Sequence, residues 1–171
     1  VNEFAETQLL PLAPGLFLSL MSIFFGFVLG ALFGALESGF KPMLRDRGKA
    51  VLKEVYGGDA DKLEAVVSKA WKYAIRGHIH GGGIGTAALA ANLLLACLGV
   101  PGTLEKLSGL AFGAGSLIYS FFWIAAAFKS PAVGKPKQAK EDLWWIAMPG
   151  AGLCLLGLLG TTLALLLRLG A

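Results

Sequence analysis

Apolar residues fall along this chain in four long blocks. The first runs from about Leu16 to Leu36, the second from Ile79 to Val100, the third from Leu107 to Phe128 and the fourth from Leu143 to Leu167. About 20 helical residues cross a hydrocarbon core of about 30 Å, so each block is long enough to span a membrane. None alternates polar and apolar positions, and an open sheet in lipid leaves its backbone unpaired, so helices are expected rather than strands. The pattern predicts an all-α integral membrane protein, a single membrane domain over residues 1–171 with four transmembrane helices.

A different pattern occupies the loop 41–76. From Ala60 to Ile75, the apolar Leu63, Val66, Val67, Ala70, Trp71, Ala74 and Ile75 recur at helical spacing. Asp59 is placed to cap this segment, with Asp61 and Glu64 in the first turn and Lys69, Lys72 and Arg76 in the last. Trp71 and Tyr73, close to a bilayer-length block, suit an amphipathic interfacial helix over about 60–75, lying on the cytoplasmic leaflet. Covering a partner subunit is the rival role for it. A shorter amphipathic segment, Leu44 to Tyr56, precedes it and stops at Gly57-Gly58.

Composition removes the ordinary soluble enzyme: 56% of residues are hydrophobic and 15% charged, against roughly 25% charged in a soluble domain. Charge then sets the orientation. Nine Lys and Arg lie between Lys41 and Arg76 and four between Lys129 and Lys140, whereas the N-terminus before the first block has none. Both basic loops are expected in the cytoplasm and both termini outside, in the inner membrane if the source is bacterial. The net charge of +4 is thereby accounted for, and nucleic acid is not expected as a partner. Glu3 and Glu6, with no basic residue before Leu9, give the wrong sign for the start of a signal peptide. Cys97 and Cys154 fall at different depths, too far apart for a disulfide.

The 24 glycines lie mostly inside the apolar blocks. Gly26, Gly30 and Gly34 form a GxxxGxxxG register that Ser22 and Ser38 extend, and Gly109, Gly113, Ser116 and Ser120 form a similar stripe in the third block. Small residues four apart let helix backbones approach closely in lipid. The expected partners are the bilayer and another membrane protein or a second copy of this chain, although a neighbouring span fits the same stripe.

The chain has two histidines, His78 and His80, at the start of the second block beside Gly81-Gly82-Gly83. On a regular helix, positions i and i+2 point about 200° apart. The two imidazoles can share one ligand only where the glycine run leaves the helix. In that case His78 and His80 are candidate ligands for haem b. With Glu37, placed at the same depth by the orientation, they form a two-histidine, one-carboxylate set for a transition metal. Ionisable groups at membrane depth are functional candidates by default. The plainer reading has both histidines bonded to headgroups, water or carbonyls, and Glu37 paired with Lys41 four residues on. Gly83 to Ala88 fits a dinucleotide-binding pattern in letters only, since no strand precedes it. None of the common hydrolase, zinc-protease, nucleotide-binding or CxxC motifs occurs, so no catalytic residues are assigned. The expected function is a small non-catalytic membrane subunit of a larger, redox-type complex. The alternatives are a structural or assembly subunit without a cofactor, and a transporter or channel component using Glu37, Asn92 and Tyr119.

Overall fold

The computed structural model describes residues 2–35 and 37–170, with Glu37 and Ser38 as backbone only. All regular structure among the described residues is helical. A short helical lead-in runs into α1 (Ala13–Ala35), followed by α2 (Glu37–Lys49) and α3 (Leu52–Tyr56). The chain continues as α4 (Ala60–Cys97), α5 (Thr103–Val133), α6 (Pro136–Glu141) and α7 (Trp144–Leu169). Four helices are long and apolar enough to cross a membrane: α1 with its lead-in, α4, α5 and α7.

The interfacial helix expected over 60–75 is not a separate element. α4 runs unbroken from Ala60 to Cys97, so the amphipathic segment and the second block are one rod, about 57 Å long at about 1.5 Å per residue. Its apolar face is covered by this chain: Leu63, Val66, Val67 and Ala70 pack with Leu44 of α2 and Tyr56 of α3. The glycines after Arg76 looked like a break because glycine costs a helix about 1 kcal/mol each. Here Gly77 packs on α5, and Gly81 and Gly85 pack on α1, all within one continuous helix.

Local signals at the ends match the sequence. Asp59 accepts hydrogen bonds from the backbone N–H of Asp61 and Lys62, both at 3.0 Å, and so caps α4. α3 ends at Gly57 with φ of 63°, a left-handed conformation that disfavours a side chain. α5 ends in the same way at Gly134, φ 73°, whose N–H donates to Ser130 O at 2.9 Å.

α5 is the central helix. It packs against α1, α4 and α7, whereas α7 rests almost entirely on α5. Beyond their apolar stretches, α4 and α5 extend into the end of the molecule that carries the basic loops. There the Tyr56 hydroxyl, its phenol pushed up by burial, donates to Pro131 O at 2.6 Å. Arg45 makes a bidentate pair with Glu64. At the opposite end Arg168 reaches Val100 O at 3.2 Å and Glu105 at 3.7 Å, tying the end of α7 to the α4–α5 turn. The outward face of α7 exposes Leu155, Leu156, Leu159, Leu163 and Leu166. A contiguous apolar face of that kind is rare on a protein surrounded by water.

Candidate functional site

The regular helix decides the fate of the histidine pair. His78 points from α4 towards α1 and His80 towards α5. The His78 Nδ1 lies 2.7 Å from Gly26 O. A carbonyl only accepts, so Nδ1 carries the proton and the free lone pair is on Nε2. The ring lies over Gly30, where an added Cβ would meet Cε1 at 2.6 Å, and its edge faces Phe33 at 6.4 Å. His80 instead lies against Tyr119, with ring centroids 5.3 Å apart, and Trp123 at 5.9 Å. The convergence that a shared ligand requires is therefore not formed: Gly81–Gly83 stay helical and the imidazoles sit on opposite sides of α4. The side chain of Glu37, the third member of the expected metal set, lies outside the described residues, as does that of Ser38. Among the described residues there is no group of three or more His, Cys, Asp or Glu side chains placed to hold a metal ion.

The helix-packing positions divide. Gly26 rests on the backbone of Gly81 and Gly82, and Ser22 Oγ donates to Gly81 O at 3.2 Å across the same crossing. Gly30 is the seat of His78. Gly113 faces Gly15 O and Ser19, and Gly109 faces the Asn92 amide. Gly34 differs: among the described residues, an added Cβ there meets nothing within 4 Å, so this position is not packed within the described part of the chain. Steps of four residues turn about 40° each around a helix. Two steps past Gly26 the row has rotated off the α4 contact, and buried Phe33 fills the interface instead.

Asn92 is fully buried between three helices. Its amide nitrogen donates to Ala88 O at 2.9 Å and Gly109 O at 3.2 Å, with Ser19 Oγ at 3.5 Å. Among the described residues, its oxygen has no conventional donor. It faces the Cα positions of Gly15 and Gly109, where any Cβ would collide with it, an arrangement that suits weak Cα–H···O contacts. Five buried hydroxyls bond along their own helices: Ser19 to Gly15 O, Ser116 to Gly113 O, Ser120 to Ser116 O, Ser130 to Ala126 O and Thr161 to Gly157 O.

Two features escaped the sequence reading. The α5–α7 seam is built on glycine as tightly as the α1–α4 seam: Cβ atoms at Gly115 and Gly157 would lie 2.5 Å from the Cys154 and Phe112 backbone nitrogens. Its signal was present as small residues at alternating spacings of four and three (Gly150, Cys154, Gly157, Thr161, Ala164). The second is a basic and aromatic cluster at the basic end, where Arg76 of α4 and Lys140 of α6 both lie within 6 Å of the ring centroids of Tyr73 and Trp123.

The fold and these contacts define a class: an all-helical protein with four helices long and apolar enough to span a membrane, their seams closed by glycine and small polar residues. Comparison with protein-family models, curated proteins and solved structures finds no match to this chain.

Proposed function

We propose that this chain is an integral membrane protein with both termini outside and the basic end in the cytoplasm, acting as a non-catalytic structural or assembly subunit. One observation carries the reading. Most polar groups inside the helix seams serve packing: Ser22 and His78 bond α4 to α1, the Asn92 amide nitrogen bonds α4 to α5, and the hydroxyls of Ser19, Ser116, Ser120 and Thr161 bond their own helices. A bundle closed in this way, with wide apolar faces left outward, suits a rigid scaffold that docks a membrane partner or a second copy. It gives less support to a transport path, because Asn92 sits in a closed clamp and Tyr119 in an aromatic stack. Gentle purification from its native membrane, followed by native mass spectrometry, tests this. The reading expects a stable assembly with one or more further chains or copies. A monomer that transports solute in liposomes would contradict it.

A second reading keeps a cofactor. A metal-bound histidine characteristically donates its other N–H to a backbone carbonyl, which fixes the tautomer. The bond from His78 to Gly26 O has that form and leaves Nε2 available. A haem or metal there would take its other ligands from a partner. An optical spectrum and metal analysis of the purified assembly separate the two readings.

A further inference from the structure

At the basic end, a groove of about 480 Å³ opens between α5, α6 and α7. Tyr119 and Trp123 form its floor, Trp144 and Met148 its outer wall, and Lys140 stands at its edge. Trp144 and Met148 are 65% and 63% exposed, so the wall is open sideways to whatever surrounds the helices.

Its charge is unbalanced. The Lys140 ammonium lies 5.9 Å from the Trp123 ring centroid and 5.6 Å from that of Tyr73, and the Arg76 guanidinium approaches the same rings at 4.9 and 5.8 Å. Among the described residues, neither cation is paired with a carboxylate. The one carboxylate lining the groove, Glu141, is paired with Lys137 at 3.6 Å. The neighbouring Asp142 is held by Lys129 at 2.9 Å. The Trp123 indole N–H is buried with no acceptor among the described residues. Two unneutralised cations beside aromatic rings, next to an apolar wall open to the side, call for an anion that carries a hydrocarbon tail.

We propose that this groove binds an anionic phospholipid of the leaflet at the basic end, its phosphate near Lys140 and Arg76 and an acyl chain along Trp144 and Met148. Basic pockets between spans on the cytoplasmic side are suited to anionic headgroups, and the adjacent Trp144 and Trp145 mark the height at which headgroups lie. A free phosphate would satisfy the charges but leave the wall without a role. The proposal rests on the chain's being membrane-inserted, and its test separates the two.

The test is native mass spectrometry of the full chain released from nanodiscs that contain equal amounts of phosphatidylglycerol and phosphatidylcholine with identical acyl chains. The wild-type protein should retain phosphatidylglycerol by on the order of tenfold over phosphatidylcholine. The Arg76→Gln/Lys140→Gln protein should lose the preference, and a Lys53→Gln/Lys69→Gln protein, altered at exposed cations elsewhere, should keep it. Equal retention of the two lipids by the wild type, or a preference that survives in the Arg76/Lys140 variant, overturns the proposal. Loss of the preference on adding millimolar inorganic phosphate reassigns the site to a free anion and also overturns it. A chain that stays soluble without detergent and retains neither lipid overturns the membrane reading together with the lipid.

Discussion

Gly30 and His78 share one space from two helices, since a Cβ on the glycine would enter the imidazole ring. Gly30→Leu is therefore expected to lower stability in detergent by about 1–3 kcal/mol, the usual cost of overfilling a packed contact, and His78→Ala in the same protein should recover most of it. Gly34→Leu, with open space at the same nominal register, should stay within about 0.5 kcal/mol. Thermal unfolding of the four proteins checks this, and equal losses at Gly30 and Gly34 would refute the assigned contact. Asn92→Ala removes hydrogen bonds to α5, and such bonds in membranes are worth about 0.6 kcal/mol on average and up to about 1.7. A loss in that range is expected by the same assay. The sequence marked Gly30 as a packing residue and His78 as a polar outlier. That they belong together depends on the rotation of α1 against α4, which no local pattern encodes.

The four long apolar helices were legible because runs of about 20 apolar residues have few other uses. The continuity of α4 was not. Charge at Arg76 and glycine at 77 and 81–83 look like a boundary, and what overrides them is contact with α1 made from another part of the chain. This gives the element its own test. Gly83 has open space at its Cβ position, whereas a Cβ added at Gly81 would lie 3.0 Å from Gly26 Cα. In a regular helix, Gly83→Ala should raise stability by up to about 1 kcal/mol, and Gly81→Ala should lower it. A glycine run that left the helix to bring the two histidines together would give no gain at Gly83. At the other end of α4, hydrogen bonds from the Lys62 and Asp61 N–H groups and the Lys62 ammonium hold the Asp59 carboxyl below its ordinary 3.8. Its contribution to the cap is complete above that ordinary value and is lost as the pH falls through the lower folded value. Protection of the amides of residues 61–63, measured as hydrogen exchange relative to the intrinsic rate at each pH, should fall on acidification in the wild type, and Asp59→Ala should remove that change in protection.

At the scale of the molecule, the proposal depends on one arrangement: a glycine-sealed bundle of four long apolar helices, inserted in a membrane with the long ends of α4 and α5 and the basic groove on the cytoplasmic side. The basic-residue asymmetry that carries the orientation was plain in the sequence, while the groove needed the meeting of α4, α5, α6 and α7. The most direct measurement is accessibility labelling of single cysteines at Phe4 and Gln138, in a chain whose Cys97 and Cys154 are replaced by alanine. A membrane-impermeant thiol reagent applied to intact cells should label position 4 and leave position 138 unlabelled until the membrane is opened. Labelling of position 138 from outside, or protection of position 4, would contradict the orientation and with it the placement of the basic end on the cytoplasmic face.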